Sequence, residues 1–322
     1  MDEGRGNAAA ELRRKLGELS REWARGRAHV ESYGEPGVVV FAPEEGRHGN
    51  FFDASFAAIV GRPEWMRRFE KIHAQGRALP GAETGRRWRE LDSSMSSDAL
   101  LMNVFCAPGV VESAVVRRAL GVDGGGPEFG WKARVPLASG RVDRTEVDMR
   151  WGGLLVEAKL TEGDFQTRAA RVVEGYRDFD CVFERERLPR VEIRTGRRRT
   201  AAEFAEAFTQ EWDEPVVDDG AAREFQAGLV AEAREAEPAE AGYRGYQLIR
   251  NVLAAYATGT SFCVVHDERR PDLREEWYAV MGAVKLAEMR VRCKVLTWQE
   301  LAGMVPEGLR FFLGGKYGVW GG

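Results

Sequence analysis

One stretch of the sequence constrains the fold more than any other: EVDMRWGGLLVEAKL, residues 146–160. Two runs that alternate between apolar and polar residues flank a Gly-Gly pair, which predicts two antiparallel β-strands joined by a tight turn. Gly152-Gly153 suits a two-residue type I′ turn, because both central residues of that turn need a positive φ. Such a loop pairs Trp151 with Leu154 and thereby fixes the register of the whole hairpin.

In this register Asp148 lies opposite Glu157, and Glu146 lies opposite Lys159. Directly opposed carboxylates have Cβ atoms about 5 Å apart and destabilise a sheet unless a cation lies between them. Two hard oxygen ligands suit Mg²⁺, which keeps several waters and recruits substrate phosphate. Lys159 shares a face with Glu157 and could hold a water or stabilise a charged phosphate. A structural alternative remains open, in which Glu146 and Lys159 form a cross-strand ion pair and both acids face solvent on an edge hairpin.

The basic residues of the chain make Lys159 more informative. Only 7 of the 47 Lys and Arg residues are Lys, so this chain uses Arg by default. The two side chains differ, since Lys is a compact point charge whereas Arg is a planar, permanently charged fork. The formal net charge is -4, so any binding of nucleic acid would need local basic patches.

The spacing of these residues resembles a known family. Asp148, eight residues, and then Glu157-Ala158-Lys159 resembles the PD-(D/E)XK nuclease superfamily, which has the restriction-endonuclease-like fold. In that family the Asp lies on the second core strand and the (D/E)XK triplet on the third. Val147 stands where the family often has proline. Further stretches resemble one branch of poorly characterised bacterial restriction-endonuclease-like proteins, namely RHGNFFDASFAAIVGRPEWMRRFEKIHAQ, SSDALLMNVF, EAKLTEGDF and YQLIRNVLAAYA.

The order of predicted elements indicates a mixed α/β fold. Helix, three strands, helix, strand, helix and strand follow one another, with WKARVPLA as the first strand and VDGGGPEFG before it as a linker. The resemblance implies a restriction-endonuclease-like core. We therefore expect a mostly helical N-terminal region over residues 1–90 and a nuclease-like core over residues 91–322. A helical insertion is expected at about residues 160–242, after the third core strand.

The resemblance also implies roles for individual residues. Asp148 and Glu157 would bind Mg²⁺, for which Mn²⁺ could substitute, and the Ala158 carbonyl is a candidate third ligand. Lys159 would position the attacking water.

Further polar residues are candidates on the same grounds. Many family members carry an acid on the first core helix, for which Glu112 is the candidate here. Many also carry a Gln or Lys on the helix after the third strand, and Gln247 in YQLIR occupies that place. Glu162 is a candidate for a supporting role. For Glu112 a plain helix-surface role remains open.

Together these features predict a Mg²⁺-dependent nuclease that hydrolyses phosphodiester bonds, with DNA as the expected substrate. Cutting both strands of a duplex would favour a homodimer. One alternative is a non-catalytic nucleic-acid-binding or interaction protein that retains the fold, although the intact Asp, Glu and Lys count against it. Another is that the hairpin is purely structural.

Three remaining patterns bear on partners and location. The Arg-rich RTGRRRT could grip phosphates through Arg194, Arg197, Arg198 and Arg199, or form a solvated turn. The four Cys form no C-x-x-C pair, which is typical of reduced thiols in a cytoplasmic protein. Neither an apolar signal core nor a run of about 20 apolar residues is present, so we expect no signal peptide and no membrane span.

Overall fold

The computed structural model describes residues 3–33, 37–72, 79–80, 87–193 and 240–321. The β-strands are β1 (His29–Glu31), β2 (Val39–Phe41), β3 (Pro43–Glu44), β4 (Arg47–His48), β5 (Pro127–Lys132), β6 (Val135–Pro136), β7 (Val142–Asp143), β8 (Glu146–Trp151), β9 (Leu154–Ala158), β10 (Thr167–Ala169), β11 (Arg190–Ile193), β12 (Glu240–Arg244), β13 (Ser261–His266) and β14 (Cys293–Thr297). The α-helices are α1 (Glu3–Ala24), α2 (Asp53–Val60), α3 (Pro63–Phe69), α4 (Ser97–Phe105), α5 (Ala114–Leu120), α6 (Ala170–Val173), α7 (Phe179–Val182), α8 (Tyr246–Thr258), α9 (Pro271–Ala283), α10 (Ala287–Arg292), α11 (Trp298–Ala302) and α12 (Glu307–Tyr317). Short 3₁₀ turns lie at Glu90–Asp92 and Arg185–Arg187.

A five-stranded mixed sheet with the order β14-β13-β9-β8-β5 organises these elements. Strands β5, β8 and β9 form an antiparallel meander, while β9, β13 and β14 run parallel. The predicted mixed α/β class is confirmed. Strand β9 lies at the centre of the sheet, and every residue of it is buried.

The β8–β9 hairpin has the register that the Gly-Gly turn predicts. Trp151 pairs with Leu154 and Met149 with Val156, where the ladder ends, so the predicted pairs Asp148–Glu157 and Glu146–Lys159 are not part of it. The predicted type I′ turn was wrong, however, because only Gly152 has a positive φ, of 56°. Positive φ at the first central residue alone is the requirement of a type II′ turn, which leads to the same pairing.

Successive apolar side chains of β8 do not all point to the same face of the sheet, and the change of face occurs at Asp148. Met149 packs in the core layer on one face of the sheet, whereas Val147 packs in the layer on the other face, so these two residues do not share a face as predicted. On the neighbouring strand, Gly130 stands between the Phe129–Met149 and Trp131–Val147 pairs with a φ of 65°. A Cβ atom there would lie 3.0 Å from Oε1 of Glu146. Glycine therefore allows the kink that sets the position of Asp148.

Helices cover both faces of the sheet. One layer comprises α1, α4, α5, α11 and α12, with Leu12 and Leu16 of α1 buried as their helical spacing predicts. The other layer comprises α8, α9 and α10 together with α6 and α7. In the described part of the chain, no helix combines the length and the apolar character that crossing a membrane requires.

Two features differ from the sequence-based expectation, and a third could not be compared. The first sheet strand, β5, begins at Pro127, so part of the predicted linker is strand, and Val135–Pro136 pairs with β7 instead. The region of residues 1–90 contains β1 to β4 besides its helices. The helices predicted between residues 200 and 236 lie outside the described residues.

A buried arginine fixes the chain where it leaves β9. Arg270 is completely buried and bonds its neighbour Asp272 through Nε at 2.9 Å. Its Nη1 and Nη2 atoms donate to the carbonyl oxygens of Glu162 and Gly163, at 2.7 and 2.8 Å. The segment that follows Lys159 is therefore tied to the start of α9.

Replacing this arginine should destabilise the fold. We expect Arg270→Met to lower the free energy of unfolding by about 3 kcal/mol or more, because Asp272 and two carbonyls lose their buried partner. Chemical denaturation measures the change. Arg274→Met, on the exposed side of the same helix, is the matched control and should change stability little. Equal, small effects in both variants would contradict the assignment.

Candidate active site

Asp148, Glu157 and Lys159 come together at the end of the β8–β9 hairpin. Nζ of Lys159 lies 2.9 Å from Oε1 of Glu157, and the two side chains are 7% and 3% exposed. The backbone N–H of Ala158 donates to Oδ2 of Asp148 at 2.7 Å. The β8–β9 ladder ends at Met149–Val156, and this side-chain bond joins the two strands beyond that pair. The kink in β8 thus brings Asp148 against the strand that carries Glu157.

The backbone of Lys159 is held on both sides. Its N–H donates to the carbonyl of Val265 on β13 at 2.8 Å, and its carbonyl accepts from Nε1 of Trp298 at 2.9 Å. The ammonium group lies 5.6 Å from the centre of the Phe165 ring. These contacts give Lys159 a fixed position beside Glu157.

Helix α8 supplies a polar partner for the other oxygen of Glu157. Nδ2 of Asn251 donates to Oε2 of Glu157 at 2.8 Å, and Asn251 is completely buried. Oδ1 of Asn251 accepts from Nη2 of Arg250, also at 2.8 Å, which fixes the orientation of the amide. Arg250 in turn donates to the carbonyl of Glu146 at 3.0 Å. The α8 contacts therefore orient the Glu157 carboxylate from the side opposite Lys159.

The electrostatics of the three groups are mutually dependent. Burial raises the pKa of Asp148 well above its usual range, and the charges of Glu157 and Asp98 raise it further, while Lys159 opposes the shift. Burial alone would lower the pKa of Lys159, but Glu157, Glu162 and Asp148 together raise it above its ordinary value. The two acids are thus close enough to repel each other, as the predicted register implies.

An acid on α4 belongs to this cluster. Asp98, in the first turn of α4, interacts electrostatically with Asp148 and is hydrogen-bonded by Nη2 of Arg68. Nη1 of the same arginine bonds Oε1 of Glu146 at 2.7 Å. Burial lowers the pKa of Arg68, but the charges of Asp98 and Glu146 raise it above its ordinary value. Arg68 therefore neutralises the acids on this side of Asp148.

The structural alternative for the hairpin is not formed. Glu146 bonds Arg68 and lies 3.4 Å from Nζ of Lys71, so it does not pair with Lys159. Glu157 is 2% exposed on the central strand, so it does not face solvent on an edge.

Gln247 and Glu162, which were also singled out in the sequence, differ in their contacts. Gln247 lies one helical turn before Asn251 on α8, and its buried Oε1 has no hydrogen-bond partner in the described part of the chain. Glu162 accepts from Ser97 Oγ at 2.5 Å and from the N–H of Leu160 at 2.6 Å, which links α4 to the segment after β9.

The remaining acid, Glu112, is not brought to the cluster. Glu112 is exposed in the loop before α5, where its carboxylate accepts from the N–H of Gly109 at 3.0 Å. Arg194, Arg197, Arg198 and Arg199 lie outside the described residues.

Sequence reasoning missed two members of the cluster. Asp98 looks like an ordinary acid in the first turn of a helix, and Asn251 like one polar residue of α8. The spacing of Asn251, four residues after Gln247, is a signal that could have found it, since both lie on one helix face.

The donor set fits a hard divalent cation. Within the described ranges, no three His, Cys, Asp or Glu side chains converge on one point that could hold a metal. Asp148 and Glu157 nevertheless offer two repelling carboxylates. Mg²⁺ is often bound by one or two carboxylates, with waters and substrate phosphate completing its shell. The two acids are sufficient protein ligands for that mode.

Comparison with known proteins identifies the family. Residues 18–318 match the family described as "Restriction Endonuclease associating with ARP". No curated protein and no solved structure shows significant similarity to the chain. The family match covers nearly the whole chain, including all three residues of the hairpin cluster. The chain therefore belongs to this restriction-endonuclease-like family.

Proposed function

We propose that the protein is a Mg²⁺-dependent nuclease that hydrolyses phosphodiester bonds, with DNA as its substrate. The observation that carries this proposal is the buried Glu157 on the central strand, bonded to Lys159 and opposed by Asp148. Burying charged groups costs several kcal/mol of free energy per ion. A cluster of buried charges is therefore unusual where only packing is required. The family match supports the same reaction class.

Asp148 and Glu157 would hold the metal, with the Ala158 carbonyl as a further ligand. When bound, Mg²⁺, or Mn²⁺ in its place, supplies Lewis-acid polarisation of the phosphate and lowers the pKa of a coordinated water. The protein contributes orientation, because Asn251 and Lys159 each fix one oxygen of Glu157. A carboxylate held in this way can accept a ligand without first reorganising.

Lys159 would act as a hydrogen-bond donor to the attacking water or to a phosphate oxygen. Its ammonium group has three donors, of which Glu157 takes one. Gln247, on the same helix as Asn251, could contact the water or a phosphate oxygen from the α8 side. Asp98 is better placed than Glu112 to act as the acid of the first core helix, since it interacts with Asp148.

The family description also names an association with ARP, so we infer that this chain binds such a partner. A non-catalytic protein that retains the fold is the alternative function. The complete Asp148, Glu157 and Lys159 set, supported by Asn251, favours catalysis over that alternative.

Cleavage of DNA tests the proposal directly. We expect the wild type to nick or cut plasmid DNA with Mg²⁺ or Mn²⁺. Glu157→Gln and Lys159→Met should each lose at least about a hundredfold in rate, because each removes a charge that acts at the reacting phosphate. Glu128→Gln, an exposed acid on β5 of the same sheet, is the matched control and should cleave like the wild type. Equal cleavage by all four proteins would show that the cluster is not catalytic.

Metal binding can be measured without cleavage. We expect Mg²⁺ to raise the melting temperature of the wild type in a concentration-dependent manner, because a ligand bound only by the folded state stabilises it. Asp148→Asn should abolish most of this rise, whereas the exposed Asp123→Asn should preserve it. A rise that is the same in Asp148→Asn as in the wild type would place the metal elsewhere.

The orienting role of Asn251 predicts an intermediate effect. We expect Asn251→Ala to weaken Mg²⁺ affinity or cleavage about 10- to 100-fold, since partners of metal ligands typically contribute that much. Isothermal titration with Mg²⁺ and single-turnover cleavage separate the two. An unchanged affinity together with an unchanged rate would rule out a positioning role for Asn251.

A further inference from the structure

A small cleft lies along helix α1. It encloses a cavity of about 70 Å³, which is room for several waters and hence for a phosphate group. The residues that line it include Arg13, Arg14, Arg21 and Glu18, together with Val38 and Met95. We call this feature the α1 cleft. It concentrates positive charge on a chain whose net charge is negative.

The arginines of the α1 cleft are held in place. Nη2 of Arg13 donates to the carbonyl of Thr161 at 2.9 Å, and Nη2 of Arg21 donates to the carbonyl of Gly37 at 3.0 Å. A carbonyl partner anchors a guanidinium without cancelling its charge. Among the described residues, Arg13 forms no ion pair. Arg14 pairs with Glu18 and Arg21 with Glu31, but these four side chains are 39% to 62% exposed, so the pairs are weak.

A glycine forms the floor of the α1 cleft. Gly17 lies in the interior of α1, one turn after Arg13 and one turn before Arg21. Glycine inside a helix costs stability relative to alanine. A Cβ at this position would meet only Arg21 Nη1 at 3.7 Å and Met95 Cε at 3.8 Å, which is ordinary contact. Packing therefore does not demand a glycine at this position, which leaves the space between Arg13 and Arg21 free of any side chain from residue 17.

The α1 cleft is connected to the candidate active site through short stretches of chain. Thr161, which anchors Arg13, follows Lys159 by two residues, and its hydroxyl lies 3.5 Å from the carbonyl of Met95. Met95, in the wall of the cleft, precedes Asp98 by three residues. The arginines and the acid cluster are thus joined through two short segments.

We propose that the α1 cleft binds the phosphodiester backbone of the nucleic-acid substrate beside the cleavage site. This inference rests on the proposed nuclease function and identifies where the substrate strand is gripped. Arginines anchored beside a phosphate-sized groove attract the phosphates of the strand without regard to its sequence. This attraction offsets the repulsion between the strand and the acids of the active site. Arg13 and Arg21 contact phosphates on either side of Gly17, and the strand continues past Thr161 towards Lys159.

Binding of a fluorescein-labelled duplex DNA, measured by anisotropy with Ca²⁺ in place of Mg²⁺, tests the α1 cleft separately from cleavage. We expect the double variant Arg13→Gln/Arg21→Gln to bind about tenfold more weakly or worse at low salt. Its plot of log affinity against log salt should be less steep by about 2, because two phosphate contacts are lost. Arg25→Gln, at an exposed arginine directly after the end of α1 and outside the cleft, should bind like the wild type.

Substitutions of Gly17 separate charge from shape. Gly17→Ala should raise the melting temperature and retain binding, which shows that the helix tolerates a side chain. Gly17→Glu places a carboxylate in the cleft and should abolish the contribution of the cleft to DNA affinity. Gly17→Gln, which has a side chain of equal size without the charge, should weaken binding less. Thermal unfolding of each variant verifies that it is folded.

Clear outcomes overturn the inference. Wild-type affinity and salt dependence in both the double arginine variant and Gly17→Glu would do so. So would displacement of the DNA by micromolar inorganic phosphate, since the ligand would then be a free anion. If the wild type binds through the α1 cleft but does not cleave, the nuclease proposal fails and the cleft stands. If the wild type cleaves DNA while the cleft variants bind it normally, the nuclease proposal stands and the α1 cleft is not the binding site.

Discussion

A carboxylate buried on the central strand is the constraint on which the rest of the site depends. Glu157 lies on β9, which has core on both faces, and an isolated charge there would be prohibitively expensive. Lys159 and Asn251 compensate by binding one oxygen each. Their own positions require further contacts, from Trp298 to the backbone of Lys159 and from Arg250 to Asn251. Much of the polar order around β9 thus follows from one buried charge.

The fold could be predicted where the information is local. Gly152 and Gly153 between two alternating runs were enough for the register of the hairpin, and the spacing of Leu12 and Leu16 was enough for α1. The kink at Asp148 could not be predicted, because it depends on the positive φ of Gly130 in a neighbouring strand. The start of β5 could not be predicted either, because the glycines that precede it are typical of a linker.

The same distinction applies to the candidate site. Asp148, Glu157 and Lys159 lie within one hairpin, so a short pattern contains all three. Asn251 and Asp98 come from helices that are distant in the sequence and reach the hairpin only through packing. Side chains of this kind have no signature of their own, because an Asn within a helix or an acid in its first turn is common in any protein. Sequence reasoning accordingly named Glu112, in the segment after α4, and not Asp98 of α4, which is the acid that interacts with Asp148.

The pairing of α1 with α12 has a consequence for how the chain is made. Leu12 and Leu16 share one core with Leu309 and Leu313, and Trp23 stacks edge-on against Phe312, with ring centres 5.4 Å apart. Domains generally fold as units, the N-terminal part emerging first during synthesis. Here α1 cannot complete the burial of its apolar face until α12, from the other end of the described chain, has been synthesised. Translation therefore delays completion of this core, and with it a stable Arg13–Thr161 contact, until α12 has been synthesised.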